Sequence, residues 1–85
     1  MNKKHQKTLQ AIFSVPTRAS IDFSDIEKML IALGAETLEG SGSRLSFELN
    51  EQKLFVHRPH PAKEAKKYQV ELFREFLRAA GVTDE

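Results

Sequence analysis

The stretch Leu45-Ser46-Phe47-Glu48-Leu49 alternates apolar and polar residues without a break. Side chains of a strand point alternately to its two faces, so this pattern predicts a strand with one buried and one exposed face. After a turn-like segment, Leu54-Phe55-Val56-His57 predicts the returning strand of a hairpin. A shorter strand at 35–38 is expected to join them, because a two-stranded sheet is marginal in water.

Three segments have the residue spacing of amphipathic helices. They are 3–13, a segment beginning at Ser24, and 63–80. Ser24 and Glu27 fit a capping box at the start of the second helix, and Gly34 fits its end. The predicted order is α-α-β-β-β-α. It indicates an α+β fold in which helices cover one face of a three-stranded antiparallel sheet, with an extra N-terminal helix.

The pairing of the hairpin strands decides which side chains meet on the uncovered face. A turn centred on Glu51 and Gln52 pairs Leu49 with Leu54, Phe47 with Val56, and Leu45 with Arg58. This register predicts that Arg44, Ser46 and His57 are neighbours on the face away from the helices. A cation, a hydroxyl and an imidazole side by side can engage a phosphate.

Composition narrows the possible functions of the 85 residues. No cysteine is present, which excludes disulfides, thiolate nucleophiles and cysteine–zinc sites and makes a cytoplasmic location the expectation. No apolar run approaches the length of a membrane span or a signal peptide. One domain of this size has no room for a deep dinucleotide cleft. A binding module, a partner-dependent regulator and an enzyme with a shallow surface site remain.

The segment His57-Arg58-Pro59-His60-Pro61 places two histidines close together in a stretch stiffened by prolines. Because imidazole exchanges protons near neutral pH, His57 and His60 are candidates for general acid, general base or phosphate-binding groups. Two histidines without a nearby carboxylate or cysteine make a poor zinc site, so no metal is expected. The alternative is a rigid strand exit whose histidines only form hydrogen bonds.

Basic residues are concentrated in two parts of a chain whose net charge is only +1. Residues 1–18 contain basic residues and no acidic ones, and 53–68 contains Lys53, Arg58, Lys63, Lys66 and Lys67 against Glu64 alone. A localised basic surface suits a polyanion. The alternative is an ordinary solvated surface. Phe55 falls on the uncovered sheet face in the predicted register and is a candidate for stacking on a base.

Several of these features occur together in a known family. The Ser24-Asp25-Ile26-Glu27 helix start, Gly42-Ser43 before a strand, His60-Pro61-Ala62-Lys63-Glu64-Ala65-Lys66-Lys67, and a helix ending in Phe76-Leu77-Arg78-Ala79-Ala80-Gly81-Val82 resemble the HicA family of bacterial toxins. The resemblance runs from about Ser24 to Val82. It implies a fold similar to double-stranded-RNA-binding domains, with residues 1–20 as an N-terminal helical extension and 21–82 as the HicA-like RNA-binding domain.

The resemblance also implies a function: an mRNA interferase, a metal-independent and cofactor-independent endoribonuclease of a type II toxin–antitoxin system, neutralised by a HicB-like antitoxin. The family's usual catalytic histidine follows the Gly-Ser pair, and Arg44 occupies that position here. Arginine stays protonated and cannot accept a proton. His60 is then favoured as the catalytic residue by the family motif, and His57 by the hairpin register. The predicted RNA-binding residues are Arg44, Ser46, Phe55, Arg58, Lys63, Lys66 and Lys67.

Two alternatives remain open. The chain keeps an RNA-binding fold without nuclease activity, or it is a protein-interaction module whose basic surface binds an acidic, antitoxin-like partner.

Overall fold

The computed structural model describes residues 1–84, which form three helices and one antiparallel sheet with the strand order β1-β2-β3. The predicted order of elements and the predicted fold class are confirmed. Within residues 1–84, no helix combines the length and hydropathy that crossing a bilayer requires. The elements are α1 (Lys3–Phe13), α2 (Phe23–Ala32), β1 (Glu36–Glu39), β2 (Arg44–Leu49), β3 (Gln52–His57) and α3 (Lys67–Ala79).

The hairpin turn lies one residue earlier than the sequence predicts. Asn50 and Glu51 form it, with φ of 49° and 69°, and positive φ at both central residues is the signature of a two-residue type I′ turn. Glutamate is uncommon at positive φ, which is why the sequence does not reveal this turn. The predicted partners of Leu45, Phe47 and Leu49 are therefore wrong; the observed pairs are Leu45–Val56, Phe47–Leu54 and Leu49–Gln52. Because the error is two residues, each side chain keeps its predicted face.

The core lies between the sheet and the helices. Leu45, Phe47 and Leu49 are all buried, as their alternation predicts. The centroid of the Phe73 ring on α3 lies 5.8 Å from the centroid of the Phe47 ring and 5.7 Å from that of the Phe23 ring. Both contacts have edge-to-face geometry. Such aromatic contacts add stabilisation beyond the area they bury. These three rings join β2, α2 and α3 at the centre of the molecule.

Asp22, and not Ser24, caps the N-terminus of α2. Its Oδ1 accepts a hydrogen bond from the Ser24 backbone N–H at 2.9 Å and another from the Ser24 hydroxyl at 2.8 Å. These hydrogen bonds hold the pKa of Asp22 below its usual value, because they favour the charged carboxylate. The predicted Ser24–Glu27 capping box is wrong, since aspartate two residues earlier is an equally good cap and Glu27 binds Arg58 instead.

The last helix begins at Lys67, four residues later than predicted. The Phe23 N–H donates to the Lys63 carbonyl at 2.9 Å, and the Ala65 N–H donates to the Ile21 carbonyl at 2.8 Å. Residues 63–65 thus run alongside 21–23 as a short extended bridge. Their backbone groups bond to that neighbouring segment, so the helix starts only after it.

Gln69 joins the start of α3 to the end of β3. Its side chain is 2% exposed, and its Oε1 accepts a hydrogen bond from the Lys66 N–H at 3.0 Å. Its Nε2 donates to the His57 carbonyl at 2.8 Å. A buried amide must find partners for its polar atoms, and here both partners are backbone groups. Gln69 therefore fixes the backbone of His57 relative to α3.

Helix α1 packs into the same core. Leu9 and Ile12 are buried there. Arg74 on α3 donates from Nε to the Ile12 carbonyl at 2.8 Å and from Nη2 to the Ser14 carbonyl at 3.1 Å. The last carbonyls of a helix have no partner within the helix. Arg74 supplies that partner and attaches the end of α1 to α3.

Replacing Phe47 with alanine is expected to lower the free energy of unfolding by roughly 3–5 kcal/mol, because a fully buried ring is removed and a cavity is left. Phe55→Ala is the matched control. Its ring is 74% exposed on the same hairpin, so its cost is expected to stay within about 0.5 kcal/mol. Urea denaturation of both variants measures the difference. Equal costs would contradict the burial of β2 described here.

Replacing Gln69 with glutamate is expected to destabilise the protein at neutral pH and less so as the pH falls. The carboxylate can still accept from the Lys66 N–H, but it cannot donate to the His57 carbonyl, and burial raises its pKa. Protonation on acidification restores a donor. Urea denaturation from pH 7 to pH 4 measures the difference in free energy of unfolding between the variant and the wild type.

The control for that series is Gln10→Glu on the exposed side of α1. It introduces the same charge without a buried partner. Its difference from the wild type in free energy of unfolding is expected not to shrink as the pH falls. A destabilisation by Gln69→Glu that does not change with pH would contradict the hydrogen bond to His57.

Candidate functional site

The sheet face opposite the helices carries a shallow depression of about 440 Å³. We call it the open-face depression. Glu39, Gly40, Leu45 and Val56 contribute to its lining, and the lining residues on the open face of the strands are Leu38, Arg44, Ser46, Phe55 and His57. Four of these five are predicted site residues, and the structure brings them together on the predicted face.

Arg44 and His57 lie directly opposite each other on β2 and β3. The Arg58 backbone N–H donates to the Ser43 carbonyl at 2.9 Å. Hydrogen-bonded and non-hydrogen-bonded pairs alternate along an antiparallel ladder, so Arg44–His57 is a non-hydrogen-bonded pair, the type in which side chains approach most closely. A guanidinium and an imidazole at such a position can bind one phosphate group together.

The loop before β2 borders this pair. The Ser43 hydroxyl oxygen lies 3.4 Å from His57 Nδ1, and the imidazole tautomer decides which of the two groups donates. The Gly40 N–H donates to the Arg44 carbonyl at 3.0 Å. A Cβ at position 40 would lie 3.2 Å from the Arg44 Cβ, so glycine allows the loop to pass close to Arg44. One ring nitrogen of His57 faces a hydroxyl, and the other forms no hydrogen bond within residues 1–84.

Apart from Arg58, the remaining predicted site residues lie on the connection from β3 to α3 and at the start of α3. These side chains are all exposed. Within residues 1–84, they are not among those that line the open-face depression. The geometry therefore associates His57, and not the second candidate histidine, with Arg44. The residues are His60, Lys63, Lys66 and Lys67.

Arg58 lies on the helix side of the sheet, between two carboxylates. Its Nε and Nη2 donate to the two carboxylate oxygens of Glu27 at 3.1 and 3.0 Å, and its Nη1 binds Glu39. The hydrogen bonds to Glu27 and then to Glu39 raise the pKa of Arg58 above its usual value. An RNA phosphate would have to compete with both carboxylates for this guanidinium. The predicted phosphate contact of Arg58 stays a prediction, and the structure gives this residue a clear structural role.

Sequence reasoning missed two residues at this site. Leu38 lines the depression from β1, and Gln69 holds the His57 backbone from α3. Gln69 gave no capping-box signal, because that pattern has serine or threonine at the cap and Lys66 occupies the cap here. Leu38 gave no signal either, since its place beside Ser46 depends on the pairing of β1 with β2.

Among residues 1–84, no three histidine, aspartate or glutamate side chains are grouped so that they could hold a metal ion. The proposed metal independence of any reaction at this site stays a prediction.

Comparison with known proteins identifies the family. The family model of the HicA toxin of bacterial toxin–antitoxin systems matches residues 23–82. No curated protein and no solved structure matches the chain significantly. The matched range covers more than two thirds of the sequence and includes α2, the whole sheet and α3. The chain therefore belongs to the HicA family, the toxins of bacterial toxin–antitoxin systems.

Proposed function

We propose that this toxin is an mRNA interferase, a metal-independent endoribonuclease that acts in the cytoplasm and is neutralised by a HicB-like antitoxin. The observation that carries the proposal is the Arg44–His57 pair on the open sheet face. Family membership gives the toxin role and an antitoxin as partner. The juxtaposed guanidinium and imidazole supply the chemistry that RNA cleavage needs.

The reaction is attack by an RNA 2′-hydroxyl on the adjacent phosphate. His57 takes the proton from the 2′-oxygen as the bond from that oxygen to phosphorus forms. Arg44 stabilises the negative charge that develops on the phosphorane oxygens. The bond from phosphorus to the 5′-oxygen then breaks, and that oxygen takes a proton from the imidazolium or from water. The products are a 2′,3′-cyclic phosphate and a 5′-hydroxyl.

His60 is the alternative proton-transfer group, because it begins the stretch that resembles the family motif. It lies on the connection to α3, together with Lys63, and close in sequence to Lys66 and Lys67. These lysines extend the basic surface beyond the open-face depression and serve the proposed binding of the RNA backbone. Ser46 and Phe55 contact the RNA within the depression in this proposal.

One observation favours a second function. Arg44 occupies the position of the family's usual catalytic histidine, and arginine cannot act as a base. A chain with this substitution that has lost cleavage would still bind RNA or an antitoxin-like protein. Binding and cleavage must therefore be measured separately.

RNA binding is expected to weaken steeply as the salt concentration rises, because contacts to phosphates release counterions. The log–log slope is expected to be about −0.7 per phosphate contact for a single strand and about −0.9 for a duplex. Lys67→Ala is expected to make the slope shallower by one contact, whereas Lys28→Ala, an exposed cation on α2, leaves it unchanged. Fluorescence anisotropy with labelled RNA measures the slopes. Absence of binding at low salt would leave only the protein-partner function.

Replacing His57 with alanine is expected to reduce RNA cleavage by about 10²–10⁴-fold while leaving RNA binding nearly intact. Gel analysis of RNA incubated with EDTA tests cleavage, and detection of a 2′,3′-cyclic phosphate tests the mechanism. His5→Ala, on α1, is the matched control and is expected to cleave like the wild type.

Comparing RNA cleavage by His57→Ala with cleavage by His60→Ala decides which histidine transfers the proton. Cleavage that survives in the His57→Ala/His60→Ala double variant, or that requires a divalent metal, would contradict the mechanism. If the wild type binds RNA without cleaving it, Arg44→His is expected to gain activity, which would assign the loss to this position.

A further inference from the structure

An exposed apolar row crosses the open sheet face beside the Arg44–His57 pair. Ser46 on β2 pairs with Leu38 on β1 and with Phe55 on β3, so the three residues form one row across the sheet. Leu38 is 72% exposed and Phe55 is 74% exposed. Single exposed apolar side chains are common on protein surfaces. Here two of them flank a hydroxyl in the same depression as a candidate phosphate site.

Charged residues lie on both sides of the Leu38–Ser46–Phe55 row. The Arg44–His57 pair lies on one side of the Leu38–Ser46–Phe55 row. On its other side, Glu36 pairs with Glu48 across β1 and β2, and Glu48 pairs with Lys53 across β2 and β3. Two carboxylates against one lysine leave a net negative charge there, so a phosphate backbone is favoured on the Arg44 side. The row itself offers two exposed apolar side chains, which suit an uncharged group extending from that backbone.

We propose that the Leu38–Ser46–Phe55 row holds one unpaired nucleobase of a single-stranded RNA, next to the phosphate that Arg44 binds beside His57. This inference rests on the proposed RNA-cleaving function and gives its substrate class. It also assigns a substrate contact to Leu38.

The dimensions of the row suit a planar base. Strand spacing places the Cα atoms of Leu38 and Phe55 roughly 9–10 Å apart, with Ser46 between them. Along the strands, the row is roughly 6–7 Å from the Arg44–His57 pair, a distance that one nucleotide spans between its phosphate and its base. The Phe55 ring offers a stacking surface, Leu38 offers an apolar contact, and the Ser46 hydroxyl can bond to a base edge.

The proposal requires a single strand. A base inside a duplex is already stacked on its neighbours and paired, so its face is not free to contact Phe55. An extruded or unpaired base has a free face, and base–aromatic stacking tolerates any base identity. The row thus favours unpaired RNA over paired RNA without reading a particular sequence.

The test measures binding in the His57→Ala/His60→Ala background, so that the RNA stays intact. Three probes of equal length are compared by fluorescence anisotropy: a single-stranded RNA, the same RNA in a duplex, and a ribose-phosphate strand without bases. Phe55→Ala and Leu38→Ala are added singly. Ile31→Ala, an exposed aliphatic residue on α2, is the matched control. Thermal melting verifies that each variant folds.

Phe55→Ala is expected to weaken binding of the single-stranded RNA by about 5- to 150-fold. The same change is expected to leave binding of the baseless strand within about 2-fold, since stacking is absent there. Leu38→Ala is expected to act in the same direction and more weakly, and Ile31→Ala is expected to have no effect. Duplex RNA is expected to bind more weakly than the single strand and to be insensitive to Phe55→Ala.

An equal loss by Phe55→Ala on the single strand and on the baseless strand would overturn the proposal, because the contact would not be with a base. Binding of the duplex that depends on Phe55 as strongly as binding of the single strand would also overturn it. If the wild type proves to be a dimer and Phe55→Ala a monomer, the row is an interface between copies, and the proposal is overturned. Failure of all three RNA probes to bind at low salt would overturn the RNA function itself.

Discussion

The two-residue turn at Asn50 and Glu51 holds β2 against β3, and the positions of the site residues depend on that pairing. Both turn residues have positive φ, and the Asn50 side chain donates to the carbonyl of Ala80 at the end of α3 at 2.7 Å. The turn is therefore anchored to the helix that covers the sheet. A shift of one residue would reverse the faces of β3 and separate His57 from Arg44.

The same pairing separates two arginines by function. Arg44 faces the open side of the sheet, whereas Arg58 follows His57 directly and faces the helix side. There it joins Glu27 on α2 to Glu39 on β1, so two elements meet at one guanidinium just beyond the end of β3. Removing one partner of such a partly buried pair leaves a charge without compensation. The charge of Arg58 thus serves the fold, whereas Arg44 is exposed and forms no ion pair within residues 1–84.

Helix α1 lies outside the range that matches the family model and yet completes the core. Leu9 and Ile12 are buried, and Arg74 satisfies the last carbonyls of the helix. The predicted boundary between an extension at 1–20 and a domain at 21–82 stays a prediction. The extension and the domain share one core, because the buried residues of α1 belong to the same hydrophobic cluster as those of α2, the sheet and α3.

The alternation in Leu45–Leu49 determined the strand and its buried face, because side-chain direction in a strand depends only on local periodicity. The same periodicity preserved the faces when the predicted register was wrong by two residues. Only the tertiary structure decided the rest. Leu38 reached the site through strand pairing, Gln69 through a hydrogen bond across the fold, and Arg58 was neutralised by Glu27, which is distant in sequence. These contacts join separate segments, and local sequence patterns carry no information about which segments meet.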